Sequence, residues 1–166
     1  MKIKNKKGFT LIELLIVIAI IAILSAVIFV ALNPLKRFQD TRDSRRWQDV
    51  SNILNAIKID QVDNGGTYIS ALDSLVDGSV YMLGTDTSNC DSQNTNCDTG
   101  ATGTNYCVNL YGLTTEGYLG SIPISPNGDG SWSSNLTGYT IQKDSSGVVT
   151  VRACESENSS EISVVR

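Results

Sequence analysis

Glu13 is the one charged residue in the otherwise apolar stretch from Phe9 to Leu32. An acid inside a membrane span costs a few kcal/mol even on lenient scales, so its presence needs a chemical reason. Thr10 stands three residues earlier, at the spacing of a capping box, in which two side chains bond to the backbone at the start of a helix. A carboxylate near a helix N-terminus gains only about 0.3–1 kcal/mol from the helix dipole. Capping alone therefore does not explain Glu13.

The second group of residues that could take part in chemistry is the four cysteines: Cys90, Cys97, Cys107 and Cys154. They contain no C-x-x-C pair, which argues against zinc. An even number in a polar portion placed outside the membrane favours two disulfides over four free thiols. Three pairings are open. We favour Cys90–Cys97, which closes a small loop, and Cys107–Cys154, which could join two strands.

The sequence has no histidine, the commonest general base and metal ligand. Triad chemistry and His-ligated zinc have no candidate, and we expect no enzymatic activity and no cofactor. The loop PNGDG at 126–130 offers oxygen ligands for calcium but lacks the EF-hand spacing. A plain turn is favoured there, and no metal site is predicted.

The apolar stretch that contains Glu13 has 24 residues, Phe9 to Leu32. As a helix it spans about 36 Å, enough to cross a hydrocarbon core of about 30 Å. Four lysines precede it (Lys2, Lys4, Lys6 and Lys7) and place the N-terminus in the cytoplasm. No A-x-A-like cleavage site follows it, so the pattern favours an anchor over an ordinary secretory signal.

Residues 33–63 change to an amphipathic pattern. The predicted buried stripe consists of Trp47, Val50, Ile53, Leu54 and Ile57. Asn64-Gly65-Gly66 predicts the end of this helix. Pro34 could bend the helix, but a continuous rod of about 80 Å from Phe9 to Asp63 is the favoured interpretation.

Residues 64–166 predict a head of strands and loops. An exposed loop is expected at 84–105, a strand at 106–111, a hairpin of 138–144 with 148–154, and a last strand at 161–165. A small antiparallel sheet laid on the helix would bury the Trp47 stripe. The predicted fold class is α+β: a long N-terminal helix, half apolar and half amphipathic, packed against this sheet.

The charge distribution is uneven. From residue 64 onward there are eleven acids and three bases, a balance of −8. This argues against direct nucleic-acid binding, which needs clustered cations. The basic residues at 36–46 are interleaved with acids, and a solvated helix face with ion pairs is favoured there over a membrane or DNA contact.

The junction Lys6-Lys7-Gly8-Phe9-Thr10-Leu11-Ile12-Glu13 resembles the type IV pilin and type II secretion pseudopilin superfamily. Prepilins of this superfamily share a leader that ends in Gly, a following Phe, and a Glu four residues later. The resemblance is specific over the leader and about the first twenty residues after it, and it names no individual member.

The resemblance implies a role for each residue of the junction. The leader would be residues 1–8, cut after Gly8 by a prepilin peptidase that then N-methylates Phe9. Glu13 would pair with the free amine of Phe9 on a neighbouring subunit and so set the register of a filament. The first helix half, 9–32, would be membrane anchor and then filament core, with 33–63 the amphipathic half and 64–166 the head.

The implied function is that of a structural subunit of a pilus-like filament that serves adhesion, motility or DNA uptake. Implied partners are other copies of the chain, the peptidase, the assembly platform in the cytoplasmic membrane and, before assembly, the membrane. The subunit would first cross that membrane once, with its N-terminus inside, and would later lie in an extracellular pilus or periplasmic pseudopilus. The alternatives are a type II secretion pseudopilin or a signal-anchored surface protein that does not polymerise.

Overall fold

The computed structural model describes residues 8–103 and 107–166. These residues fall into two compact units, the first ending at Phe38 and the second running from Gln39 to Arg166. Except for Gly8, the predicted leader lies outside the described residues.

Helix α1, Leu11–Leu32, forms most of the first unit and has no buried residue. It is followed by helix α2, Pro34–Asp63, after a single interruption at Asn33. Asn33 has left-handed backbone angles, with φ 37° and ψ 72°. The residue before a proline is disfavoured in the right-handed helical region, and asparagine tolerates the left-handed one. The chain is thus helical from Leu11 to Asp63 except at this residue.

Helix α2 ends where the sequence predicts. Gly65 and Gly66 have φ angles of 66° and 99°, which glycine adopts without a Cβ clash. The Gly66 N–H donates to the Gln61 carbonyl at 2.7 Å and satisfies one of the last carbonyls of the helix.

The second unit contains a four-stranded antiparallel sheet. Its strands are β1 (Val80–Met82), β2 (Tyr139–Lys143), β3 (Val149–Ala153) and β4 (Ser163–Val165), in that spatial order. The predicted hairpin is confirmed as β2 and β3, with Ile141 opposite Val151. The predicted last strand is confirmed as β4, and β1 is an addition to the sequence-based picture.

The head has less regular structure between β1 and β2. Helix α3 spans Ser70–Asp73, a 3-10 turn Asn94–Asn96, and helix α4 Tyr111–Thr115. The strand predicted at 106–111 is wrong for the residues that are described. Val108 makes one parallel bridge to Leu83, and Tyr111 already begins α4. Tyr106 and the last two residues of the predicted 84–105 loop lie outside the described residues.

The core forms where α2 meets the sheet. The apolar face of α2 packs against inward residues of β2 and β3 in one cluster; among its members are Val50, Ile53, Leu54 and Ile57 from α2, and Tyr139, Ile141, Val149 and Val151 from the sheet. The architecture is therefore α+β and pilin-like, as predicted.

One member of the predicted stripe is wrong. Trp47 is 41% exposed, whereas the adjacent Arg46 is fully buried. Successive residues on a helix point about 100° apart, so only one of the two can face the core at this level. Arg46 takes that place because polar partners surround its guanidinium, as described below.

The favoured disulfide pairing is also wrong. The bonds are Cys90–Cys107 and Cys97–Cys154. Backbone contacts explain this pairing: the Asp98 N–H donates to the Cys154 carbonyl at 2.6 Å, and the Cys107 N–H donates to the Asp86 carbonyl at 3.1 Å. The loop is thus fastened to two other parts of the head, where the favoured pairing would have tied it to itself.

Candidate processing and assembly site

Gly8, Phe9 and Thr10 precede α1 as exposed backbone without regular secondary structure. A Cβ added at Gly8 would meet no atom within 4 Å. Packing within the described part of the chain therefore does not require glycine at this position. A requirement for glycine would have to come from a partner that approaches the backbone closely.

Thr10 and Glu13 form the capping box that their spacing predicts. Thr10 is the N-cap, with φ −83° and ψ 152°. Its backbone N–H donates to Glu13 Oε2 at 2.8 Å, and the Glu13 N–H donates to Thr10 Oγ1 at 3.2 Å. The box satisfies two of the N–H groups that a helix leaves without partners at its start.

The capping box uses only part of the Glu13 carboxylate. The Thr10 hydroxyl also donates to Oε2, at 2.8 Å, so both hydrogen bonds from Thr10 to the Glu13 carboxylate fall on this oxygen. Oε1 accepts none of them. The box thus fixes the position of the side chain, and Oε1 takes no part in it.

Helix α1 presents an apolar surface on all sides. Each of its large hydrophobic residues is about half exposed or more, from Val17 at 47% to Leu11 and Val30 at 81%. Within the described residues, the helical stretch that begins at Leu11 is the one long and apolar enough to cross a membrane. An apolar surface of this extent is typical of a segment covered by lipid or by other protein.

The sequence residues 3–29 match the family model of the prokaryotic N-terminal methylation motif. The chain carries this motif, which is the hallmark of type IV pilins and pseudopilins. No curated protein and no solved structure matches the chain.

The matched range contains Gly8, Phe9, Thr10 and Glu13 and ends inside α1 at Phe29. The motif supports a type IV pilin-like or pseudopilin precursor, a family that is structural rather than catalytic. It implies processing by a prepilin peptidase and filament assembly in general. Together with α1, it fits a membrane-anchored protein. The head lies outside the matched range.

In the head, the 126–130 loop surrounds a carboxylate. The backbone N–H groups of Gly128, Asp129 and Gly130 donate to Glu155 at 3.1, 2.8 and 3.3 Å. The indole Nε1 of Trp132 donates to the same carboxylate at 2.6 Å. Converging N–H groups stabilise an anion, so the loop turns donors toward Glu155. Within the described residues, no group of three or more His, Cys, Asp or Glu side chains is placed to hold a metal ion.

Sequence reasoning missed a buried ionic group next to this loop, which we call the Arg46 cluster. It consists of Arg42, Asp43 and Arg46 from α2 with Glu155 and Glu157 from the segment after β3. The predicted ion pairs three or four positions apart are confirmed at Asp43–Arg46 and Arg45–Asp49. The solvated face is wrong for Asp43 and Arg46, which are buried, and Arg42 is partly buried against Glu157. No sequence signal pointed to this cluster, because Arg46 and Glu157 are 111 positions apart and no local pattern shows that they meet.

Proposed function

We propose that the chain is the precursor of a pilus-like filament subunit that is cut after Gly8, N-methylated at Phe9 and polymerised through α1. The observation that carries this proposal is the methylation motif on a helix whose start is exposed and whose apolar surface is left exposed by the described residues. In the subunit, residues 1–8 are the leader, 9–32 the anchor and filament core, 33–63 the amphipathic helix half and 64–166 the head.

Cleavage is the step that makes the subunit able to assemble. The exposed, non-helical backbone at residues 8–10 suits a peptidase, which must bind an extended segment beside its catalytic groups. Cutting after Gly8 removes four lysines and turns the Phe9 amide into a cationic amine. The mature side chains then sum to −8, because nine bases remain against seventeen acids.

Glu13 is then the partner of this new amine. Its Oε1 is left open by the capping box, and the amine of Phe9 on a neighbouring subunit supplies the missing cation. In the low dielectric of a helix bundle such a pair is strong, whereas an unpaired carboxylate is costly. The pair therefore favours one axial register between subunits over all others.

Helix α1 serves two environments in turn. In the cytoplasmic membrane, lipid covers its apolar surface, with the N-terminus inside. During assembly on a membrane platform, the α1 helices of neighbouring subunits replace the lipid. The heads remain outside, where their acidic surface is soluble and makes the contacts of the fibre.

A pair of substitutions separates filament register from helix capping. Glu13→Ala removes the carboxylate, whereas Thr10→Ala removes the N-cap side chain and keeps the carboxylate. We expect both variants to be cleaved, E13A to lose most or all filaments, and T10A to retain most of them. The measurement is the yield of sheared filaments, with cleavage read by mass spectrometry of the membrane fraction. Normal filament yield from E13A, or equal loss from both variants, would contradict amine pairing.

The mass of the mature N-terminus tests processing directly. We expect a chain that begins at an N-methylated Phe9, in membranes and in filaments alike. A chain that keeps residues 1–8 and forms no crosslinks between α1 helices would support the non-polymerising surface protein. Fibre length in electron micrographs distinguishes a surface pilus from a short periplasmic pseudopilus.

A further inference from the structure

Arg46 is held by a complete set of acceptors. Its side chain is fully buried, and a guanidinium has five N–H groups to satisfy. Nε donates to the Ser125 hydroxyl at 3.2 Å, while Nη1 lies 2.8 Å from both Asp43 Oδ1 and Glu157 Oε1. Nη2 lies 3.0 Å from the Pro126 carbonyl and 3.0 Å from Glu155 Oε1. The residue thus joins three segments: α2, the 125–132 loop and the 155–158 segment after β3.

The same three segments are joined by a second layer of bonds. Asp43 accepts from the backbone N–H groups of Glu157 and Asn158, each with a shortest bond of 3.1 Å or less. Arg42 makes a bidentate ion pair with Glu157, in which Nε and Nη2 each donate to one carboxylate oxygen. Glu155 accepts the N–H groups of the 128–130 loop and the Trp132 indole, as described above. Asp43 and Glu155 therefore bind backbone N–H groups as well as guanidinium groups, whereas the Glu157 carboxylate is bonded to the two guanidinium groups.

Charge is unevenly matched in the Arg46 cluster. Two guanidinium groups face three carboxylates, whose side chains are 6% exposed at Asp43, 7% at Glu155 and 12% at Glu157. A buried ion pair stabilises a protein only while both partners stay charged, and losing one partner leaves the other uncompensated.

The two outer segments contribute no residue to the apolar core between α2 and the sheet. The 155–161 segment lies between Cys154, which is bonded to Cys97, and the buried Ile162. The 126–132 loop lies between Ser125 and Ser133, whose N–H groups donate to Thr137 and Leu136. Both segments are therefore loops with fixed ends. Trp132, at the end of the 126–132 loop, packs in a second apolar cluster with Met82 and Cys154.

We propose that the Arg46 cluster is an acid-opened clasp: protonation of Glu157 releases the 155–158 segment and the 126–132 loop from α2 while the apolar core stays folded. The charged groups that surround Glu157 are Arg42, Asp43 and Arg46 from α2 and Glu155 from its own segment. Asp40, Asp98 and Asp129 lie on the chain segments that bond to or pack against residues 155–158.

The direction of the pH effect follows from Glu157. Its hydrogen bond with Arg42 lowers the pKa of this carboxyl below the ordinary 4.5, against the opposing effect of burial and with help from Arg46. A lowered pKa in the folded state stabilises the clasp above the ordinary pKa, and this stabilisation is lost as the pH falls through the folded value. The clasp is therefore closed at neutral pH and opens below pH 4.5.

Trp132 reports the state of the clasp. It is 7% exposed, and its indole is bonded to Glu155. The sequence has two tryptophans, so Trp47→Phe leaves Trp132 as the single reporter. The experiment follows acrylamide quenching of Trp132 and far-UV circular dichroism from pH 7 to pH 2, on the full chain in detergent micelles.

We expect quenching to rise several-fold below pH 4.5, reversibly, and at a higher pH than the loss of the dichroism signal. Arg42→Gln removes the main cause of the lowered pKa, so its transition should move to higher pH. In the Glu157→Gln variant, acrylamide should quench Trp132 fluorescence already at pH 7. Asp77→Asn is the matched control, because this carboxylate is 48% exposed and pairs with Lys143 outside the Arg46 cluster.

Two results would overturn the clasp. Coincident quenching and dichroism transitions would mean ordinary acid unfolding of the whole head. An unshifted transition in R42Q would mean that Glu157 is not the trigger. If E157Q fails to fold, the pH of the R42Q transition still tests whether Glu157 is the trigger, since R42Q keeps Arg46 and all three carboxylates.

Discussion

Arg46 and Trp47 are neighbours, yet α2 buries the cation and leaves the indole partly exposed. A buried guanidinium is tolerated when all its N–H groups are satisfied and its charge is compensated. At Arg46 both conditions are met by Asp43 on the same helix together with groups from distant parts of the chain. Glu13 is the counterpart in the first unit, a carboxylate for which the described residues supply hydrogen bonds but no cation.

Replacing Arg46 tests how much the head depends on this single charge. Arg46→Met keeps much of the side-chain volume and leaves three carboxylates with one remaining guanidinium. We expect a loss of about 3–5 kcal/mol in the free energy of unfolding, the usual cost of breaking a buried pair. Urea denaturation of the full chain in micelles, followed by Trp132 fluorescence, measures this loss.

Arg45→Ala is the control for that substitution. The Arg45 side chain is 63% exposed and its pair with Asp49 is 3.8 Å long, so the change should stay within about 0.5 kcal/mol. A loss from R46M no greater than that from R45A would show that the three carboxylates relax into solvent at little cost.

At the scale of elements, the sequence patterns correctly predicted the features that depend on residues near one another in the chain. The capping box at Thr10, the helix end at Gly65 and Gly66, and the β2–β3 hairpin each depend on residues within a few positions of one another. Strand β1 has three residues, too short for an alternating pattern to appear. The 106–111 prediction failed because its apolar alternation also fits the buried positions of an irregular segment and a short helix.

Pairings over long sequence distances were beyond the same reasoning. Apart from Asp43, the partners of Arg46 lie 79 to 111 positions away, and those of Cys90 and Cys97 lie 17 and 57 positions away. Such contacts depend on how the loops cross the folded sheet. The candidate site at Gly8, Phe9 and Glu13 is a linear segment, so a sequence motif is enough to predict it, and the roles of these residues stay predictions.

The corrected face of α2 makes a prediction about core packing. Ile57 is fully buried and Trp47 is 41% exposed. Ile57→Ala should therefore cost about 2–5 kcal/mol through lost burial and a residual cavity. Trp47→Ala should cost less than about 1.5 kcal/mol, although it removes the larger side chain. Urea unfolding measured by circular dichroism compares the two variants. A larger loss of unfolding free energy from W47A than from I57A would show that Trp47 is a core residue.

At the scale of the whole molecule, the disulfide pairing can be read from one digest. Cleavage before aspartates places the four cysteines on separate peptides: 86–90, 91–97, 98–128 and 144–166. Without reduction, we expect 86–90 to be joined to 98–128 and 91–97 to be joined to 144–166. Mass spectrometry distinguishes these products from those of the two other pairings. A bond between 86–90 and 91–97 would contradict the structure of the loop.

The division into two units leads to a last prediction. The apolar core and the Arg46 cluster lie in Gln39–Arg166, and α1 has no buried residue. The fragment 39–166 should therefore fold by itself as a soluble protein, with both disulfides formed in an oxidising compartment. Its urea midpoint should match that of the full chain in micelles, because none of the described residues before Gln39 is buried.

The control for this fragment is a shorter one, 50–166, which begins at the first α2 residue of the core cluster. It keeps Val50, Ile53, Leu54 and Ile57 and loses Arg42, Asp43 and Arg46. If the Arg46 cluster contributes to stability as its burial indicates, the shorter fragment should have a clearly lower urea midpoint and a Trp132 that is open to quenching at pH 7. Equal midpoints would show that the apolar core alone holds the head together, while a molten 39–166 fragment would show that the core needs residues before Gln39.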